Sequence, residues 1–247
     1  MEHEAYLDMA ASEERHWWFR GRRQILNQVI GGLNLPAGAR ILELGSGTGG
    51  NLAMLSRYGI VTSVEMDETA RTLAAAKAGR ADHIFAGILP DQLPAFAEPF
   101  DLICMFDVLE HIEDDAATLK IVLSHLAPGG RVVITVPAFA RLWGPHDVAL
   151  HHKRRYEKSE LQQKFLAAGF SITRLTYTNM LLFPAALAAR QFDKLRPPGK
   201  SAGTSIPPAW LNEIFATLFG SERHLIQRAN LPFGLSLLAV VQAAATG

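Results

Sequence analysis

A chain of 247 residues is long enough for one sizeable α/β core with a small appendage. Its 24 basic and 24 acidic side chains cancel, so no basic excess marks nucleic acid as an electrostatic partner. The single cysteine, Cys104, lies in an apolar run, which excludes a disulfide framework and a cysteine-based metal site and fits a reducing cytoplasm.

The start, Met1-Glu2-His3-Glu4, lacks the basic-then-apolar pattern of a secretory signal. Two late apolar stretches, 180–189 and 231–245, are interrupted by Pro184 and by Pro232 and Gly234. Neither offers the ~20 uninterrupted apolar residues of a spanning helix, which leaves only surface contact with a bilayer open.

In chain order, residues 1–35 read as a helical lid and 40–44 as a short strand running into glycines. Residues 51–58 predict a helix, with Gly59 at its stop. A second strand follows at 61–66, then a helix to Lys77 capped by Asp67 and ended by Gly79, then a weaker strand at 82–86. Residues 100–106 are nearly all apolar, as in a strand buried on both faces. A helix over 116–126 stops at Pro128-Gly129-Gly130, and 131–136 is another buried strand. This alternation predicts parallel strands with right-handed helical crossovers, an α/β doubly wound sheet. Farther on, Ser159 caps a helix over 160–168 that ends at Gly169, and 170–178 is a sixth strand. Residues 196–208 hold four prolines, two glycines and two serines, a surface linker between apolar segments 181–195 and 210–228. A strand at 236–242 closes the core. The expected organisation is a lid (1–35), a core (36–178), a helical insertion (179–232) and a final core strand (233–247).

Gly45, Gly47 and Gly49 follow a strand and open a helix, where glycine lets the backbone approach a ligand. With Gly50 they also satisfy the dinucleotide pattern G-x-G-x-x-G, so the turn alone does not choose a cofactor. Glu43, two residues before the turn, does choose. A buried carboxylate there is costly unless a cation satisfies it, and it would repel a pyrophosphate. S-adenosylmethionine brings an ammonium and a sulfonium. The alternative is pairing of Glu43 with Arg40 or a distant basic residue. Glu65, ending the second strand, can accept hydrogen bonds from ribose hydroxyls in either cofactor. Asp67 reads better as a cap.

In order along the chain, these residues resemble the class I S-adenosylmethionine-dependent methyltransferases of the small-molecule type, a group that includes enzymes of ubiquinone synthesis. The resemblance runs over 39–169 plus the last strand. Its pieces are Ile41-Leu42-Glu43-Leu44-Gly45-Ser46-Gly47-Thr48-Gly49, Val64-Glu65, Phe100-Asp101-Leu102-Ile103 through Asp107-Val108-Leu109-Glu110-His111-Ile112, and Leu126-Ala127-Pro128-Gly129-Gly130 with 132–136. It implies a seven-stranded Rossmann-like sheet, mostly parallel with one antiparallel strand near the C-terminus, and S-adenosyl-L-methionine as cofactor. It also implies that Glu43, Gly45, Ser46, Gly47 and Gly49 face the methionine end, with Phe106 and Asp107 lining it. Glu65 would hold the ribose and Met66 pack on adenine. Where many members have an Asp for the adenine amino group, this chain has Ile88, so backbone groups of Ile88 and Leu89, or Asp91 along the loop, would take that contact. Glu110 and His111 end the fourth strand, either as site residues or as helix-capping polar groups.

Methyl transfer needs mainly alignment and exclusion of water, with a base for a hydroxyl or protonated amine. His146, His151 and His152 share the loop after the fifth strand with Asp147, Arg154, Arg155 and Tyr156. His151 is the expected base, with His111 its rival, and Arg154 and Arg155 are expected to hold an anionic acceptor. No metal is expected, since the loop lacks a helical i, i+4 histidine pair and an assured third ligand. A solvated basic loop is the plainer alternative. In the N-terminal run His16-Trp17-Trp18-Phe19, three adjacent aromatics cannot share one helix face, and Trp18 is expected over the cofactor. Trp210, Leu211, Ile214, Phe215, Leu218 and Phe219 form an apolar stripe that faces the core, caps an apolar acceptor or touches membrane. The expected partner is a small acceptor, lipophilic or anionic. The competing functions are a nicotinamide-dependent oxidoreductase and a non-catalytic cofactor-binding module.

Overall fold

The structure, a computed structural model, describes residues 3–79, 82–193 and 206–245. Its centre is a seven-stranded sheet. The strands are β1 (Ala39–Leu44), β2 (Gly59–Glu65), β3 (His83–Ala86), β4 (Phe100–Phe106), β5 (Leu126–Pro137), β6 (Phe170–Thr178) and β7 (Ser236–Ala243), in the order β3-β2-β1-β4-β5-β7-β6. β1 to β5 run parallel, and β7 lies antiparallel between β5 and β6. The order turns back at β1 and β4, which places a ligand crevice beyond their carboxyl ends. Covered by helices on both faces, β4 is buried along its length apart from Asp101, whose carboxylate accepts from the Arg40 N–H at 2.8 Å.

Several predicted boundaries shift, each for a local reason. The helix after the glycine turn, α3 (Leu52–Leu55), is a single turn, because Gly59 opens β2. A Cβ on Gly59 would strike the Ala39 carbonyl, so close strand packing requires glycine there. α4 (Glu68–Ala75) is capped as expected, with Asp67 accepting from the Ala70 N–H at 2.9 Å. α5 (Asp115–Ser124) stops before Leu126, and Pro128-Gly129-Gly130, expected to end a helix, lies inside β5 as a bulge: the register against β4 shifts between Phe100 and Leu102, with Gly129 at φ +79°. α6 (Pro145–Ala149) lies in the histidine-bearing loop. Glu157, not Ser159, precedes α7 (Lys158–Ala167), which ends at Gly169 with φ +93°. Of the expected linker at 196–208, residues 196–205 lie outside the described residues.

The remaining helices are α1 (His3–Ser12), α2 (Trp17–Gly31), α8 (Phe183–Asp193) and α9 (Ala209–Arg228). The expected lid and insertion meet, because α2 packs along α9. Asn212 accepts from the Trp17 N–H at 2.9 Å and donates to the Arg15 carbonyl at 2.8 Å, satisfying the start of α2. Arg20 pairs with Glu213, and Arg223 donates to Gln24. Gly21 lets α2 approach the Phe219 ring, where a Cβ would come within 2.5 Å. The predicted apolar stripe on α9 therefore splits. Phe215 and Phe219 meet Trp17 edge-on at 5.5 and 6.1 Å, while Trp210, Ile214 and Leu218 are exposed. Among the described residues no helix is long and apolar enough to cross a membrane.

Candidate active site

The glycine turn leaves β1 with Gly45, Gly47 and Gly49 all at positive φ. A Cβ on Gly45 would lie 2.6 Å from Val108, the residue after Asp107, so this turn and the end of β4 close on each other only with glycine at 45. Gly45 N–H is held by the Val64 carbonyl at 2.8 Å.

Glu43 is 1% exposed. One oxygen accepts from Asn51 Nδ2 at 2.9 Å and the other has no partner. Arg40 does not reach it and pairs with Glu98 instead. Burial lifts the Glu43 carboxyl to about 7, against the Asn51 hydrogen bond and the charge of Arg22. Ser46 Oγ and Asn51 Oδ1 are likewise buried without partners. Three orphaned polar atoms around one turn, in a protein that satisfies most others, mark a place for a polar and cationic group.

Glu65 ends β2 with its carboxylate accepting from the Gly47 N–H at 2.9 Å and the Asp67 N–H at 3.0 Å. It therefore pins the turn and still has lone pairs for ribose hydroxyls. Met66 and Ile88, at the ends of the neighbouring strands β2 and β3, expose apolar side chains (64% and 44%) where the adenine is expected. The Ile88 N–H and C=O both bond to Gln92, at 2.9 and 2.8 Å, which fixes this loop and leaves the carbonyl one further lone pair.

The N-terminal segment lies against the turn. Tyr6 of α1 is buried, and the Met9 methyl lies 3.1 Å from where a Cβ on Gly47 would sit. Glu13, just past α1, accepts from Thr48 Oγ1 at 2.8 Å and pairs with Lys77. From α2, Arg22 pairs with Asp107 and lies 4.4 Å from the centre of the Trp18 ring. Asp107 itself has φ +57°, and its N–H donates to the Thr135 carbonyl at 3.0 Å. Trp18 thus reaches the end of β4 through Arg22, while Trp17 packs on α9. Arg22 escapes sequence reasoning, since 85 residues separate it from Asp107.

Beyond Asp107, Phe106 is buried and Glu110 is wholly buried with neither carboxyl oxygen partnered. Burial, then the charge of Asp107, holds the Glu110 carboxyl well above the usual range. His111 lies edge-on to His152 at 4.8 Å and hydrogen-bonds to the His151 backbone; burial and then the charge of His152 lower it to about 4. His152 Nδ1 lies 2.9 Å from Asp147, and its Nε2 is 4.0 Å from Glu110. Glu110, His111 and His152 bring potential ligand atoms within 4.8 Å of one another, a set able to hold a metal ion that the loop histidines' spacing did not suggest.

The basic loop residues are committed elsewhere. Arg154 donates to Asp115 at 3.0 Å and to the Glu113 carbonyl at 2.8 Å; Tyr156 and Lys164 bind the same Asp115 at 2.8 and 2.9 Å. Arg155, buried, donates to Asp147 at 2.7 Å and to the Ala138 carbonyl at 3.1 Å. Both guanidiniums hold the loop against α5 and β5 rather than presenting free donors to an acceptor. His151 is exposed, with φ +56°.

An open sheet whose first βα turn offers a buried carboxylate and orphaned polar atoms, with a second acid ending the next strand, defines the class of α/β proteins that bind a ligand beyond the carboxyl ends of their central strands. The chain matches the family described as "Methyltransferase domain" over residues 15–175 and belongs to it, and its cofactor is S-adenosylmethionine. It is 27% identical over 146 residues to a ubiquinone biosynthesis O-methyltransferase of Xanthomonas axonopodis pv. citri (strain 306), covering 54% of this chain and 61% of that one. It is 28% identical over 162 residues to a probable S-adenosylmethionine-dependent methyltransferase of Mycolicibacterium smegmatis, covering 64% and 61%. The matched region thus spans about three fifths of these relatives. A chain in the complex between the Haloferax volcanii Trm112 methyltransferase activator and the putative methyltransferase superposes with a TM-score of 0.63 at 19% identity, covering 99% of this chain and 95% of that one. An S-adenosylmethionine-dependent methyltransferase from Clostridium acetobutylicum ATCC 824 superposes with a TM-score of 0.59 at 12% identity, covering 90% and 91%. At these identities the superpositions show the fold alone.

Proposed function

We propose that this chain methylates an oxygen or nitrogen atom of a small acceptor. The observation that carries this reading is Glu43, buried at the glycine turn with one oxygen unpartnered. When bound, S-adenosylmethionine supplies a methyl group already activated by its sulfonium. Glu43 and Ser46 bind the methionine end, with Phe106 and Asp107 beside them. Glu65 holds the ribose, and Met66, Ile88 and Leu89 enclose the adenine. Trp18 and Arg22 close the methionine end from the lid and exclude water. His111 receives the acceptor's proton: one ring nitrogen bonds to the His151 backbone, which leaves the other as acceptor on a neutral ring. His151, exposed, is the second choice. The relatives named O-methyltransferases favour a hydroxyl acceptor.

Thermal melts test the cofactor. S-adenosylhomocysteine at one hundred times its Kd is expected to stabilise the protein by about 2.7 kcal/mol, while nicotinamide dinucleotides leave it unmoved. His111→Gln is expected to lower kcat by roughly 10²–10⁴-fold with cofactor affinity unchanged. Stabilisation by a nicotinamide dinucleotide alone would return the site to the oxidoreductases.

A further inference from the structure

The carboxyl ends of β5 and β6 carry a second cluster that the cofactor site does not use. Phe139, two residues past β5, is at φ +61°, a costly backbone for a bulky residue. Its ring stacks on Tyr177, near the end of β6, with centroids 5.1 Å apart and planes 14° from parallel. Each ring carries its own cation: Arg141 lies 4.9 Å from the Phe139 centroid, and Lys158 lies 5.7 Å from that of Tyr177. Neither cation has an ion-pair partner among the described residues. The nearby acid, Glu157, accepts from the Ala140 N–H at 3.2 Å. Burial, then Glu157, raises the Tyr177 phenol, so it stays a neutral donor. Phe183 extends the aromatic wall at 5.9 Å from Phe139.

We infer that Arg141, Lys158 and the Phe139–Tyr177 pair form an anion-recognition site for the acceptor, which therefore carries a carboxylate or phosphate on an apolar or aromatic body. Rings hold the two cations in place without neutralising them, a pairing suited to an anionic ligand with a flat or greasy stem. The inference rests on the methyltransferase reading and deepens it, since Arg154 and Arg155 are already spent on Asp115 and Asp147. The distance adds a constraint. β5 is one strand from β4 and β6 is three, so the cluster lies on the order of 5–14 Å sideways from Asp107. The acceptor's anion and its methylated atom are separated by roughly 10 Å.

Phenyl phosphate, benzoate and neutral benzyl alcohol serve as probes, by calorimetry and saturation-transfer NMR, on the wild type and on Arg141→Gln/Lys158→Gln. S-adenosylhomocysteine is titrated into the same samples. The wild type is expected to bind both anions and to discriminate against benzyl alcohol. The double variant, its fold checked by melting, is expected to lose at least tenfold in anion affinity with S-adenosylhomocysteine binding unchanged. Equal anion binding by both proteins, or none by the wild type, overturns the inference while leaving the methyltransferase reading in place. Loss of S-adenosylhomocysteine binding by the wild type, with the anions still bound, sinks the methyltransferase reading and keeps the anion site.

Discussion

Glu43 couples stability and cofactor affinity to pH in opposite directions. Its folded value of about 7 lies above the ordinary 4.5, so between those values the folded chain holds a proton that the unfolded chain gives up. Stability is therefore greatest below about pH 4.5 and falls as pH rises to 7, by an amount on the order of 3 kcal/mol for this group alone. Binding a cation requires the carboxylate, so S-adenosylhomocysteine affinity is expected to rise up to tenfold per unit from pH 5 and level off above 7. Glu43→Gln is expected to bind more weakly and to flatten both profiles in paired melts and titrations. A pH-independent affinity in the wild type would remove Glu43 from the ammonium's site. This acid was legible in the sequence, because a lone carboxylate in an apolar strand beside a glycine turn needs an explanation. Arg22 and Glu13 were not, because each acts through a partner made adjacent only by folding: Asp107 for Arg22, and Thr48 and Lys77 for Glu13.

Among the elements, six of the seven strands were read to within two residues, since apolar runs bounded by turn residues report burial directly, while β5 starts at Leu126, five residues before the apolar run that announced it. Helix ends were read less well. Gly59 looked like a helix stop and is a strand residue pressed on Ala39; Ser159 looked like a cap and lies inside α7. Glycine marks both stops and close approaches, and only the neighbour distinguishes them. The crossing of α2 and α9 shows the same ambiguity. Gly21 reads as a weak point in a helix, yet it is the contact that lets Phe219 in. Gly21→Ala is expected to lower stability by about 1–3 kcal/mol despite the better helix former, measured by chemical denaturation. A stabilised variant would mean that the two helices part easily.

For the whole molecule, the N-terminal helices and the late helices were read as separate appendages, whereas α2 and α9 pack as one layer. The bonds joining them span almost 200 residues, from Trp17 to Asn212. That layer holds α2, and with it Arg22, against Asp107 at the end of β4, whereas α1 is tied mainly by contacts to the turn and α4 and by the flanking Glu13. Removing residues 1–12 is therefore expected to leave the melting temperature within a few degrees and to speed S-adenosylhomocysteine release, seen by stopped-flow as a rise in koff. Collapse of the melting transition would show that α1 belongs to the core.

The placement of β7 has a consequence for how the chain is assembled. β5 and β6 are neighbours in sequence order yet never pair; the slot between them is filled by a strand whose first residue, Ser236, follows Thr178 by 58 positions. Order of synthesis and order of assembly therefore part company. While the ribosome is still making α9, β5 exposes an edge and β6 has no partner at all, a state open to wrong pairing. The parallel half can condense early, but the half built on β6, with the Phe139–Tyr177 stack, forms only once β7 arrives.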